Sequence, residues 1–457
     1  MNGVQKQRLL TQPIRIGGVE IAGRFVKAAY TETMCTEDGF VTDQLIQHYE
    51  ELARGGTPLL ITGATYFNKY SQAMKRGLAL DHDDKIPGLQ RLTRTVQQYG
   101  SKIFVQLYHV GRQAAPGNVG RTDAQAPSAR YEFTVGCMPR AMTIEEIHDC
   151  VYQFGLAAAR AKQAGFDGIE LHAAHGYLIS SFLTPHTNRR TDQYGGSFEN
   201  RLRFLVEVYR AMREQVGRDF PIVIKLNGHD DLPLRKGLNT EDCVRIALRM
   251  QKEGIDGVEV SCGHYESGIT SDRGNWKGFF RTMVTYGAAK DWPASHRAVI
   301  RLLSPLLSWF YNRISGFRPA FNLSYAQAFK QALDIPVICV GGFAEVALID
   351  EALESGGCDL VAAARPVIAD PHLFNHLKAG VRGPQCDFCQ GCFARAGAMP
   401  ADCYNPRVRA EKALMLRAEQ GTDLVSRPVN AGWQSCANEI RPTKTSPRNN
   451  DERQYEG

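Results

Sequence analysis

The sequence predicts an α/β protein: an eight-stranded parallel (β/α)8 barrel with a long insertion between strands 6 and 7 and a C-terminal Cys-rich extension. Three observations carry this. Short apolar runs alternate with longer amphipathic segments. The runs are continuous rather than alternating, as expected of strands buried on both faces of a parallel sheet. Their number is that of a closed barrel. A doubly wound open sheet would use the same units and is the competing arrangement.

In order, the strand-like runs are RFVKAA (24–29), PLLITGAT (58–65), KIFVQLYH (102–109), GIELHA (168–173), PIVIKLNG (221–228), GVEVSCG (257–263), PVICVGG (336–342) and LVAAAR (360–365). Between them lie helix-period segments such as DQLIQHYEELARGG and TIEEIHDCVYQFGLAAARAKQAG. The second opens with Thr143 and Glu146 at capping-box spacing. Two regions break the rhythm. Residues 264–335 replace the expected short loop and helix, and no Asp or Glu occurs from Trp292 through Leu333. Within 294–318, Val299, Leu303, Leu306, Phe310, Ile314 and Phe317 recur at helical spacing among Arg297, Arg301, Arg313 and Arg318. A basic amphipathic segment of this kind can make a peripheral membrane contact. A lid over the barrel mouth or a subunit contact is the favoured reading, because Pro305 is expected to interrupt the helix. The second region is the end. Residues 384–410 are Cys-rich, and 411–457 read as a polar, flexible tail.

The 457 residues are 43% hydrophobic, enough for one large core or several ordinary ones. A net charge of +6, with both signs interleaved, gives no nucleic-acid surface. The opening MNGVQKQRLL lacks the apolar core of a secretory signal, and no uninterrupted apolar run is long enough to span a bilayer. Of twelve cysteines, eight are scattered, at Cys35, Cys137, Cys150, Cys243, Cys262, Cys339, Cys358 and Cys436. Such a chain is expected to be cytoplasmic and reduced. No Gly-x-Gly-x-x-Gly follows a strand, so a separate dinucleotide domain is not indicated.

In such a barrel the active site lies at the C-terminal ends of the strands. That rule gathers Thr31, Gln106, His109, His172, His175 and Lys225 at one mouth. Gly341, Gly342 and Arg365, after strands seven and eight, stand where such barrels bind phosphate, since glycine lets backbone N–H groups approach an anion. In HAAHGYL, His172, His175 and Tyr177 crowd one strand end. The trio suits an acid–base site, a zinc site or a rim of aromatics, although no third zinc ligand with an activating carboxylate is evident. Cys386, Cys389, Cys392 and Cys403 give Cys-x2-Cys-x2-Cys-x10-Cys, a spacing that suits a 4Fe–4S cluster or zinc.

HAAHGYL followed by FLTPHTNRRTDQYGGSFENR, with KIFVQLYHVGRQ, IVIKLN, PVICVGGF and ARPVIADP, is similar to the Old Yellow Enzyme family of FMN-dependent oxidoreductases. The similarity runs from about Leu10 to about Gly383. It implies an FMN-binding TIM barrel over residues 1–383, with 264–335 as the inserted region. It also implies ping-pong hydride transfer from NADH or NADPH, through FMN, to an activated alkene such as an enone or an enoyl or dienoyl compound. On this resemblance His172 and His175 hold the carbonyl oxygen and Tyr177 donates the proton.

The implied flavin contacts are Ala28, Ala29 and Thr31 after strand one, Ala64 on strand two and Gln106 at the pyrimidine edge. His172 and Lys225 also touch the flavin, while Gly341, Gly342, Ala364 and Arg365 take the phosphate end. Lys225 departs from the arginine of many relatives, keeping the charge but not the bidentate fork. Thr31 stands where some members have cysteine.

The branch near 2,4-dienoyl-CoA reductase and trimethylamine dehydrogenase carries an iron–sulfur cluster at the place of the four cysteines. This puts a 4Fe–4S cluster ahead of zinc. The last spacing is slightly shorter here. A homo-oligomer is expected. Two rival readings remain: a flavin-dependent dehydrogenase or amine-oxidising enzyme, and a non-catalytic metal-binding or membrane-associated scaffold.

Overall fold

The computed structural model describes residues 8–115, 123–233 and 236–420. The eight expected runs form parallel strands: β1 (Phe25–Lys27), β2 (Leu59–Thr65), β3 (Lys102–Leu107), β4 (Gly168–His172), β5 (Ile222–Asn227), β6 (Gly257–Ser261), β7 (Val337–Val340) and β8 (Leu360–Ala363). They pair in chain order, and β8 closes on β1, so the sheet is a barrel and not an open sheet. Closure leaves no edge strand to protect. Every strand but β2 ends one or two residues before its apolar run does, because the last residues of the run turn out into the loops of the mouth.

Helices α1 (Asp43–Arg54), α2 (Ile86–Gln97), α3 (Ile144–Gln163), α4 (Phe198–Val216) and α5 (Thr240–Glu253) follow the first five strands. The capping box opening α3 is formed. Thr143 Oγ1 accepts from the Glu146 N–H at 3.2 Å, and the Glu146 carboxylate accepts from the Thr143 N–H at 2.9 Å. The barrel interior is filled by a compact set including Val26, Leu59, Ile61, Phe104 and Ile338. An antiparallel hairpin, Ile14–Ile16 with Val19–Ile21, stops the N-terminal end by adding Ile16 and Ile21 to that set. A larger apolar layer lies between strands and helices. Lys27 points into it with no exposure, satisfied by Glu32 Oε1 at 3.0 Å, the Tyr49 hydroxyl at 3.1 Å and the Ile61 carbonyl at 2.8 Å.

The insertion after β6 forms α6 (Phe279–Tyr286) and α7 (Ala294–Ser315) before α8 (Leu323–Ala332) returns to the barrel; α9 (Val346–Glu354) and α10 (Leu373–Ala379) complete the ring. It has its own small core, in which Trp276, Phe279, Phe280 and Ala394 are buried against Ile300 and Tyr311. The expected break at Pro305 does not occur, for α7 runs through it. Pro305 lies on the exposed side, where the backbone bond it removes is open to water rather than buried.

The chain divides into two compact units, Met1–Lys412 and Ala413–Gly457. Helix α11 (Pro406–Gln420) ends the described part of the chain. The sequence was expected to turn into a polar tail at 411. Residues 411–420 are helical, and the rest of that segment, with Cys436, lies outside the described residues. Among the described residues no helix is long and apolar enough to cross a membrane.

The insertion core rests on Trp276, whose indole N–H donates to the Ser315 carbonyl at 2.9 Å. Trp276→Ala is expected to cost about 3–5 kcal/mol. Hydrogen exchange should show the loss concentrated in residues 264–320, with barrel strands protected as before.

Candidate active site

The C-terminal ends of the strands enclose a cavity of about 210 Å³. Ala28, Ala29, Thr31 and Ala64 line it from β1 and β2, Gln106 from β3, His172, His175 and Tyr177 from the end of β4, and Lys225 from β5. Gly341 and Gly342 after β7, and Ala364 and Arg365 after β8, line the other side. All thirteen catalytic and cofactor-binding positions read from the sequence therefore border one space. The small side chains of β1 and β2 keep it open. β2 carries a register shift between Ile61 and Ala64. Within it Gly63 meets the β1–α1 loop so closely that a Cβ would fall 2.2 Å from Glu32 Oε2.

The barrel-interior side of the cavity is charged. Lys225 Nζ lies 2.5 Å from Glu259 Oε1, its lateral neighbour on β6. Burial works against the ammonium, but the charges of Glu259 and Glu170 outweigh it, and the pKa is raised. Glu170 is pushed up to about 8, first by burial and then by the charge of Glu259. The Gln106 amide donates to Glu170. An ammonium and an amide thus stand at one end, and two glycines and a guanidinium at the other. This donor set fits the polar ring edge and the phosphate of FMN.

The trio packs as a unit. Ring centroids are 5.0 Å apart for His172 and His175 and 4.8 Å for His172 and Tyr177, each pair edge to face. His172 Nδ1 accepts the Ala174 N–H at 3.3 Å, which leaves the ring proton on Nε2. His175 sits in the left-handed region (φ 60) and is held by its N–H to Asn227 Oδ1 at 3.1 Å and by Nε2 to Ser261 Oγ at 2.7 Å. Gly176 follows at φ 80, where a Cβ would lie 2.5 Å from the Gln113 amide and 2.7 Å from the His264 ring. Only glycine lets the chain turn there. Burial pushes both imidazole pKa values well below their usual range, with the charge of Lys225 adding to it. Burial raises the Tyr177 phenol well above its own, with Tyr265 next.

Sequence reasoning missed Ser261, Tyr265, Asp272 and Phe321, which also line the cavity. Tyr265 matters most: its hydroxyl is 3.1 Å from that of Tyr177. The strand-end rule, applied to β6, would have found Ser261. Tyr265, Ser271, Asp272 and Phe321, all within the inserted residues 264–335, line the cavity, whereas no residue of α7 does. His186 and His109 are buried away from the cavity, and His186 Nε2 pairs with Glu266 at 2.7 Å.

Cys386, Cys392 and Cys403 pack with Ile368, Ala369 and Val408, and Cys392 also lines the cavity. Burial raises all four thiols, Cys386 and Cys392 to about 12 and Cys403 to about 11. The Phe388 N–H donates to Cys386 Sγ at 3.4 Å. Among the described residues no three His, Cys, Asp or Glu side chains are arranged as a metal's ligands. Arg365 bridges this segment and the cavity, with Nη1 donating to Gln390 Oε1 at 2.6 Å and the guanidinium 5.1 Å from the Phe388 ring centre.

Residues 9–283 match the NADH:flavin oxidoreductase / NADH oxidase family. The chain is 36% identical to an NADH oxidase of Thermoanaerobacter brockii over 83% of its own length and 52% of that protein's. It is 31% identical to a cinnamate reductase of Clostridium sporogenes over 90% of its length and 60% of that protein's. A solved 2-naphthoyl-CoA reductase in complex with 2-naphthoyl-CoA superposes with a TM-score of 0.74 at 26% identity, over 88% of this chain and 58% of that one. The chain thus spans little more than half of each of these proteins.

His48, His172 and His175 are all held neutral by burial. The unfolded chain protonates them near pH 6.5, so below that pH it binds more protons than the folded chain. The histidine contribution to stability is therefore expected to fall as pH drops from about 7.5 to about 5.5, against an opposite contribution from Glu170, which the folded chain protonates from about pH 8 downward. Denaturant midpoints at the two pH values measure the fall, and a His172→Asn/His175→Asn variant should show a smaller one.

Proposed function

Since the chain belongs to the NADH:flavin oxidoreductase / NADH oxidase family, we propose that it is an FMN-dependent NAD(P)H oxidoreductase that reduces activated alkenes. One observation carries the reading: two imidazoles and a phenol line one cavity together with the residues suited to hold a flavin. Bound FMN supplies hydride chemistry, from NAD(P)H to the carbon β to an electron-withdrawing carbonyl.

The chain's residues do the rest. Gln106 and Lys225 would hold the polar edge of the ring, Gly341, Gly342 and Arg365 its phosphate, and Ala28, Ala29, Thr31, Ala64 and Ala364 the walls between. Lys225 keeps its charge through Glu259, so it would offer a cation to the electron density that gathers on a reduced flavin. The proton of His172 is fixed on Nε2. His172 and His175 are neutral at physiological pH. As neutral donors they stabilise a developing enolate oxygen by hydrogen bonding without protonating it. Tyr177 keeps its proton at physiological pH and would give it up to a carbanion at the α carbon.

Tyr177→Phe is expected to leave flavin reduction by NAD(P)H largely unchanged and to slow alkene reduction roughly a hundred- to ten-thousandfold. Stopped-flow measurement of the two half-reactions separates them, and equal slowing of both would remove Tyr177 from the role.

We also propose that Cys386, Cys389, Cys392 and Cys403 hold a 4Fe–4S cluster rather than zinc. Four cysteines at this spacing, one of them accepting the Phe388 N–H at 3.4 Å, are a donor set suited to it, since hydrogen bonds to sulfur tune such clusters. No step of alkene reduction needs it. Anaerobically purified protein should contain about four irons and as many acid-labile sulfides per chain. Cys389→Ser should lower both while FMN content persists. Zinc, or four titratable thiols, would refute the assignment.

A further inference from the structure

Helix α7 is amphipathic the wrong way round for a helix lying on a barrel. Its inward side carries Ser304, Ser308 and Ser315, all buried, with Ile300, Leu307 and Tyr311 meeting the insertion core. Its outward side carries Val299, Leu302, Leu303, Leu306, Trp309 and Phe310, spaced three and four apart so that they form one stripe. Leu302 is 79% exposed, Leu306 61% and Trp309 59%. Small residues inside let α7 sit close on α6, while the large apolar ones face away from the protein. Scattered exposed leucines need no explanation, but a continuous stripe does.

The surroundings of the stripe are basic. Arg297, Arg301 and Arg313 lie on α7 and Arg318 just beyond it, and Lys277 and Arg281 are exposed on and beside α6. The nearest acids along the chain are Asp291 before the stripe and Asp334 after it. The Arg313 guanidinium lies 5.5 Å from the Trp309 ring centre, pairing cation and aromatic at the rim. Beyond α7, Phe317 stacks on Phe388 at 3.9 Å, and Phe321 lines the cavity. The stripe and the active site are thus joined by one short segment.

From this arrangement we propose that the outward face of α7 docks the protein on an anionic lipid surface, lying in the headgroup plane without crossing it. Charge decides between this and a second copy of the chain. A two-fold contact would set this helix against itself, arginine facing arginine, with no carboxylate on α7 to answer. Anionic headgroups would answer the exposed cations, Lys277, Arg281, Arg313 and Arg318, while the stripe enters the acyl boundary. Helix α7 is not apolar enough to span a bilayer, which agrees with an in-plane position.

The test is flotation of the full-length, flavin-loaded protein with vesicles of phosphatidylcholine alone and of phosphatidylcholine mixed with phosphatidylglycerol. The wild type should float with the anionic vesicles, less so as salt rises, and hardly with the neutral ones. Leu302→Glu/Leu306→Glu/Trp309→Glu should lower the vesicle-bound fraction by at least about tenfold. That variant should retain FMN and turnover on a water-soluble alkene, which shows that it is folded. Failure of the wild type to float, equal flotation of the variant, or equal binding to neutral vesicles overturns the proposal. So does a dimer, seen by sedimentation velocity, that the variant abolishes in protein that does not float. None of these outcomes depends on which alkene is the substrate.

Discussion

The site depends on one constraint: a lysine inside a barrel must be neutralised by neighbours that are also inside. Lys225 meets Glu259 from the adjacent strand and feels Glu170 from the other. Two carboxylates so placed cannot both ionise easily, and Glu170 is the one whose affinity for its proton rises. Breaking a buried pair of this kind leaves a stranded charge, which is far costlier than losing a surface ion pair. The layer of Gln106, Glu170, Lys225 and Glu259 therefore behaves as a unit. It ends the apolar filling of the barrel and begins a polar face on which a ring with hydrogen-bonding edges can rest.

The β4 loop depends on that layer in turn. His172 is the last residue of β4 and pairs laterally with Lys225. From there the chain must reverse sharply to bring His175 and Tyr177 back over the same space. The left-handed backbone at His175 and Gly176 performs the reversal, and contacts from β5, β6 and the β3 loop hold it: Asn227, Ser261 and Gln113. A strained residue persists when its surroundings over-determine it, and here three separate elements do so.

The barrel was legible because burial on both faces forces continuous apolar strands, and eight such runs leave few architectures. Placement of Gln106, His172, Lys225 and Arg365 followed from the strand-end rule and from the motif together. Tyr265 was not legible in the same way. Its partnership with Tyr177 joins loops from β4 and β6, and nothing local in HYESGITSD announces it. Pro305 misled for a related reason. Its effect depends on which side of the helix it occupies, and that is set by the packing of α7 on the aromatic core around Trp276. The outward turn of the apolar stripe was hidden likewise. Spacing gives a stripe, but only tertiary packing says which way it looks.

Arg365 has two claimants. Its guanidinium is engaged by Gln390 and lies beside the Phe388 ring, both in the Cys-rich segment, while the same side chain borders the anion end of the cavity. An oxyanion arriving there must share or displace the Gln390 carbonyl. Linkage then runs both ways: whatever tightens the cysteine loop alters the hold on the anion by the same factor that the anion alters the loop. A single cation thereby makes the occupancy of two neighbouring compartments one equilibrium instead of two.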